Sequence, residues 1–150
     1  MSKYSGTWYL IEGTYAEFLK GGKCIEVNHF KNPNGTLSID INQINIQYDK
    51  IHICNSGKFI NLFDFRTGKK SITKAYGEVV GPNGEADVLL DFYGTKFLGS
   101  LIDILETDYK TYSVCWGCQK IDDDNNAEVI WILSRDRNPS QELISKCHDV

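Results

Sequence analysis

Ile25-Glu26-Val27-Asn28-His29-Phe30, then Asn32-Pro33-Asn34-Gly35, then Leu37-Ser38-Ile39-Asp40-Ile41-Asn42: apolar and polar side chains alternate, stop at a turn, and alternate again. A period of two belongs to strands, because successive side chains on extended backbone point to opposite faces. Between the runs, Pro33 fixes its φ and Asn34-Gly35 tolerates positive φ, which is turn chemistry. The stretch predicts two antiparallel strands, with Ile25, Val27 and His29 sharing a face that continues through Leu37, Ile39 and Ile41.

The same texture extends in both directions. Before it, Thr7 to Gly13 is an apolar-aromatic run. After it come Ile44, Ile46 and Tyr48, a short run at Ile51 to Cys54, and an aromatic one in which Phe59, Phe63 and Phe65 share a face. Arg66-Thr67-Gly68-Lys69 is a plausible hairpin loop leading into Ile72, Lys74 and Tyr76. Gly81-Pro82-Asn83-Gly84 precedes Ala86, Val88, Leu90 and Phe92, and Ser100 to Glu106, Thr111 to Cys118 and Glu128 to Arg135 complete the series. That is roughly eight to ten short strands between turn signals, the mark of an all-β barrel or sandwich. Only two segments have helical character. Tyr15 to Leu19 could form one turn, and Pro139 to Lys146 begins with Asn138 as an N-cap candidate before a proline at the first helical position. Neither could cover a sheet. Sequential strands on short connections favour an up-and-down antiparallel barrel of eight strands, whose closure removes exposed edges and whose interior is wide enough for a small ligand.

The composition limits function. The chain has 150 residues, enough for one core, so a single domain over 1–150 is expected; it is 41% hydrophobic, with a formal charge of −4. Lys and Arg are scattered and form no basic stripe, so nucleic acid is not an expected partner. No run of apolar residues approaches the roughly 20 needed for a helical membrane span. Met1-Ser2-Lys3-Tyr4-Ser5-Gly6 carries no apolar targeting segment, which leaves a cytosolic protein or a secreted one whose signal has been removed. Five cysteines, Cys24, Cys54, Cys115, Cys118 and Cys147, tip the expectation toward secretion, where two disulfides and one thiol would be at home.

Three patches together resemble the lipocalin family: Gly6-Thr7-Trp8-Tyr9 in the first strand, Thr107-Asp108-Tyr109 at the turn between the sixth and seventh, and Trp131-Ile132-Leu133-Ser134-Arg135 in the last. Gly22-Lys23-Cys24-Ile25-Glu26-Val27-Asn28-His29 and the hairpin from Thr107 to Cys118 are similar to the branch holding apolipoprotein D and the bilin-binding proteins. The likeness runs from Tyr4 to Arg135 with an interruption. It implies a barrel closed where Arg135 lies over the Trp8 ring, a cation–π contact worth up to about 2 kcal/mol, so Gly6, Trp8, Thr107, Asp108, Tyr109 and Arg135 read as architecture. It also implies a disulfide from Cys24 to Cys147, the only cysteine beyond the last strand, worth about 4 to 5 kcal/mol in the chain-entropy account. The usual partner of Cys118 is missing, and Cys54 is a possible substitute. Between Asn42 and Gly77 the chain is longer than the family's short hairpin, so either an extra mid-chain hairpin or extended strands are expected. The short C-terminal helix leaves one flank thinly covered, which would favour a dimer or a partner chain.

For the cavity, strand parity points Leu37, Ile39 and Ile41 inward. The resemblance adds His29, either a ligand contact or a satisfied rim histidine, and Trp131 as a pocket wall. Phe63, Leu90, Phe92, Val114 and Trp116 are further candidates. Ile41 stands where the family often has an asparagine that contacts bilins. Cys115-Trp116-Gly117-Cys118 invites a redox or zinc reading, but alternation through Tyr112, Val114 and Trp116 places it mid-strand, where the two sulfurs face opposite ways. His29, His52 and His148 lack catalytic or metal spacing, and Asp122-Asp123-Asp124 reads as a solvated loop. The expectation is an extracellular non-enzymatic carrier that requires no cofactor or metal and takes a lipid, retinoid, steroid or bilin-like pigment. The alternatives are a protein-interaction barrel with a self-filled core and a cysteine-dependent isomerase.

Overall fold

The computed structural model describes residues 3–14, 19, 21–45, 68–80, 87–92, 100–120 and 125–150. Its strands are β1 (Gly6–Gly13), β2 (Gly22–Lys31), β3 (Leu37–Asn45), β4 (Lys69–Val79), β5 (Asp87–Phe92), β6 (Ser100–Thr107), β7 (Tyr112–Lys120) and β8 (Asn126–Ser134), followed by a helix, α1 (Gln141–His148). Each strand pairs with the next in an antiparallel ladder, and β8 pairs back onto β1, so the sheet closes as the sequence expectation required. The alternation that predicted the first hairpin also sets its register. Val27 lies opposite Ile41, His29 opposite Ile39 and Lys31 opposite Leu37, so directly facing residues share one side of the sheet. On β3 that side is buried at Leu37, Ile39, Ile41 and Gln43, while the residues between them are half-exposed. A register slip of one residue would turn this whole row to water.

The β3–β4 ladder runs from Leu37 opposite Gly77 to Asn45 opposite Lys69. The added stretch thus falls in sequence between Asn45, where the described part of β3 ends, and Lys69, where β4 begins. The runs at Ile51 to Cys54 and Phe59 to Phe65, the turn at Tyr15, and the choice between hairpin and extended strands lie outside the described residues.

Helix α1 starts two residues later than the sequence suggested. The N-cap is Ser140, not Asn138: the Ser140 backbone is extended and its Oγ accepts from the Leu143 N–H at 3.2 Å. Asn138 is held earlier, its N–H donating to Asp136 Oδ1 at 2.9 Å. The helix seats Cys147 and Leu143 against Ile11 of β1, Tyr112 and Val114 of β7 and Ile132 of β8, an apolar cluster on the outside of the barrel. Lys146 tethers it, with Nζ donating to the Tyr112 hydroxyl at 2.7 Å and lying 3.4 Å from the Glu106 carboxylate. Strands β1, β7 and β8 are therefore covered on both faces where α1 crosses them.

Candidate functional site

Inside the barrel, the inward row of nearly every strand meets at one apolar cavity of about 60 Å³. Strand β3 contributes Leu37, Ile39 and Ile41; β2 contributes Ile25, Val27 and His29. Val88 and Leu90 come from β5, Ile102 and Ile104 from β6, Cys115 from β7, and Trp131 and Leu133 from β8, with Tyr4, Leu10 of β1 and Leu19 completing the wall. Sheet closure makes this hollow, because a strand tilted around a barrel cannot bring its inward side chains to the axis at every level. Gly13 of β1 has no side chain for a spatial reason: a Cβ there would stand 2.6 Å from the Trp131 ring, so its absence lets the indole lie against the wall.

One end is plugged. Trp8 is fully buried, and the Arg135 guanidinium carbon sits 3.7 Å from its ring centroid. Arg135 Nη1 donates to the Thr7 carbonyl at 2.8 Å, and Nη2 is shared among the carbonyls of Ser5, Tyr4 and Lys3 at 3.1, 3.2 and 3.3 Å. The Trp8 indole N–H donates to the Tyr4 carbonyl at 2.9 Å. Gly6 opens β1 at φ +104° with Arg135 Nη1 3.2 Å from where a Cβ would be, a conformation and a closeness that glycine alone meets cheaply. The turn before β7 is held by Asp108, whose carboxylate accepts from the N–H groups of Thr111, Lys110 and Tyr112 at 2.7, 2.9 and 3.2 Å, and from the Thr111 hydroxyl. Burial raises that carboxyl's pKa, and these hydrogen bonds outweigh it, holding the group well below the usual carboxylate range.

Between the plug and the cavity lies a small polar layer. The Tyr4 hydroxyl donates to Ser113 Oγ at 2.9 Å and lies 3.5 Å from the Cys115 sulfur, which also lies 3.5 Å from Ser113 Oγ. Burial raises both the Tyr4 hydroxyl and the Cys115 thiol, so each is protonated at neutral pH. The His29 ring stands edge-on to Tyr4 at 5.0 Å. Burial first, and the Arg135 charge second, push His29 down to a pKa of about 4, so it is neutral at physiological pH. Its Nδ1 has no hydrogen-bond partner.

The structure gathers His29, Leu37, Ile39, Ile41, Leu90 and Trp131 around one space. Two expected wall residues go elsewhere. Val114 is buried in the cluster under α1, outside the barrel, and Trp116, two residues along the same strand, shares its face and is absent from the cavity wall. Cys115 lines the cavity instead. Phe92 is placed only by its backbone pairing with Ala75, and Phe63 lies outside the described residues. Tyr4, Leu10, Ile25, Val27, Val88, Ile102, Ile104, Cys115 and Leu133 line the cavity without having been singled out; parity with His29 and Leu90 marks Ile25, Val27 and Val88.

Both expected cysteine pairings are corrected. Cys147 is a free thiol in the seat of α1, and Cys115 and Cys118 are free as well, so neither a Cys24–Cys147 nor a Cys54–Cys118 bridge exists. Cys24 is disulfide-bonded, and none of these three thiols is its partner. Cys147 packs on the outer face of β7 while Cys115 looks inward, so they cannot share a metal ion. Among the described residues, no helix is long and apolar enough to cross a membrane.

Comparison with known proteins agrees with this architecture. The chain is 27% identical over 154 residues to apolipoprotein D of Cavia porcellus, an alignment covering 100% of this chain and 68% of that protein. It is 26% identical over 153 residues to the Lazarillo protein of Schistocerca americana, covering 97% of this chain and 60% of that one. Among solved structures, lobster apocrustacyanin A1 superposes with a TM-score of 0.68 at 21% identity, over 99% of this chain and 69% of that one. With a closed eight-stranded barrel, an arginine-capped tryptophan at its plug and a match over residues 5–150, the chain belongs to the lipocalin / cytosolic fatty-acid binding protein family, whose members bind small hydrophobic molecules.

Proposed function

We propose that this single-domain protein is an extracellular carrier that holds one small hydrophobic ligand reversibly inside the barrel, with no reaction step. The observation that carries the reading is the apolar cavity inside a barrel with one end closed by the Trp8–Arg135 plug. Binding draws on apolar area removed from water, at roughly 25 cal/mol per Å². His29, Leu37, Ile39, Ile41, Leu90 and Trp131 form the contact wall, with Phe63 and Phe92 as further candidates. The cavity of about 60 Å³ is smaller than the roughly 300 Å³ or more of sites for drug-sized ligands. A slender acyl chain enters with the least displacement of the wall, whereas a retinoid, steroid or bilin-like pigment needs Trp131 and the leucines to turn aside. Disulfide bonding of Cys24 supports an oxidising compartment outside the cell. An isomerase reading finds no support at Cys115, because burial raises its thiol and the thiolate is the nucleophile.

A second reading, a protein-interaction barrel filled by its own side chains, has the small cavity in its favour and the outward position of Trp116 against it. Titration with a fatty acid, retinol, progesterone and biliverdin, followed by quenching of tryptophan emission, separates the two. The carrier reading expects saturable quenching by at least one compound, reduced when Trp131 is replaced by Phe. Four flat titrations, together with an organic extract of the natively isolated protein that contains no lipid, refute it.

A further inference from the structure

We infer that the closed end of the cavity is a subsite for the hydroxyl group of an otherwise apolar ligand, read by His29, so that the barrel selects long-chain alcohols over the matching carboxylates. The inference rests on the carrier reading and deepens it.

Tyr4, Ser113 and Cys115 satisfy one another in the layer above the plug. His29 is the member left over: it lines the cavity, is only 8% exposed, and keeps an unpartnered ring nitrogen. A buried polar atom without a partner is costly, and native structures retain few of them without a reason. A neutral imidazole presents one donor and one acceptor. A hydroxyl both donates and accepts, so it satisfies the bare nitrogen in either tautomer.

A carboxylate has no comparable welcome. Among the described residues, the cation whose charge reaches His29 is Arg135, which already spends its guanidinium on the carbonyls of Thr7, Ser5, Tyr4 and Lys3 and lies over the Trp8 ring. His29 carries no charge at neutral pH, and Tyr4 and Cys115 are uncharged as well. A carboxylate placed there would be stripped of water without an opposing charge, which is strongly unfavourable. The rest of the wall is aliphatic or aromatic and would hold the chain.

The test is displacement of a fluorescent apolar probe by decanol, decanoic acid and decane at pH 7.4, for the wild-type protein and for His29→Leu and His29→Gln. Wild type is expected to bind decanol about five- to tenfold more tightly than decane, the worth of one net hydrogen bond, and more tightly than decanoic acid. His29→Leu loses the ratio by which decanol outbinds decane, whatever its affinity for either, and His29→Gln recovers part of that ratio. In the wild-type protein, the His29 imidazole nitrogen resonances shift on adding decanol and stay in place with decane, a readout that needs no variant. Decanoic acid binding tightest, an unchanged decanol preference in His29→Leu, or His29 resonances indifferent to decanol overturns the subsite while leaving the carrier intact. Failure of all three compounds to displace the probe also overturns the subsite, whereas the carrier reading is refuted only by the flat titrations and lipid-free extract described above.

Discussion

Replacing Arg135 by Met removes the plug's charge while keeping much of its stem, and the structure sets the size of the loss. Nη2 carries two hydrogens, so of its carbonyl neighbours at 3.1, 3.2, 3.3 and 3.5 Å only two can be well bonded at once; with Nη1 on Thr7 at 2.8 Å the side chain makes about three real hydrogen bonds. Bonds to a charged donor are worth about 1.5 kcal/mol or more each, but carbonyls near the surface regain water, so roughly half of that survives as net loss. The guanidinium 3.7 Å from the Trp8 centroid adds about 1 to 2 kcal/mol. The expected destabilisation is therefore about 3 to 4 kcal/mol, read as a lower urea midpoint at unchanged slope. Arg135→Lys keeps a cation over the indole but loses the planar fork, and should recover only about 1 kcal/mol. A double-mutant cycle with Trp8→Phe isolates the cation–π share. If Arg135→Met shifts stability by less than about 0.5 kcal/mol, within the range of an ordinary surface change, or if Arg135→Lys matches wild type, the plug does not close the barrel as described.

Acid should weaken the protein in two separable windows. His29 falls from 6.5 to about 4 on folding, so between these values the unfolded chain takes up the proton more readily and stability declines as pH drops. The shift corresponds to about 3 kcal/mol, complete near pH 4, and urea unfolding of His29→Leu should lack this slope. Asp108, held below the usual carboxylate range, contributes stability present above its unfolded pKa of 3.8 and lost only at more acid pH, so Asp108→Asn should leave the higher window untouched. Gly6→Ala, at φ +104° and against Arg135, should cost about 1 to 3 kcal/mol in thermal melts; a neutral result would contradict the strained entry into β1. Val114→Ala should cost about 2 kcal/mol and loosen α1 in hydrogen exchange, yet change ligand affinity less than twofold, because Val114 packs under the helix. A large loss of affinity in that variant would return Val114 to the cavity wall.

The barrel was legible because its evidence is local. Alternation at Ile25 to His29 and Leu37 to Ile41 is a property of neighbouring residues, and closure follows once every strand must be paired. The plug motif could be named too, but only because Gly6, Trp8 and Arg135 match the family's pattern; the backbone angle, the buried ring and the capping charge that explain it belong to the structure. Parity failed on β7. Where one face meets water, alternation tells inside from outside, but β7 has the cavity on one side and α1 on the other. From Tyr112 to Cys115 both of its rows are buried, and the choice of Val114 and Trp116 over Cys115 had no local signal to correct it. The cysteines failed for a related reason, because pairing depends on which sulfurs meet in space and Cys147 points into the seat of its own helix.

The amino-acid order alone therefore determined the class of fold, the antiparallel run of its strands and the inward face of β2, β3 and β5, all set by the strand period and by turns short in sequence, while the plug residues were recognised by family likeness and not by any local interaction. The tertiary structure decided which face of β7 looks inward, which cysteines stay free, and that His29 sits neutral beside a satisfied Tyr4, Ser113 and Cys115. Those outcomes depend on how much water reaches each group and on which distant side chain arrives beside it, and closure of the barrel fixes both.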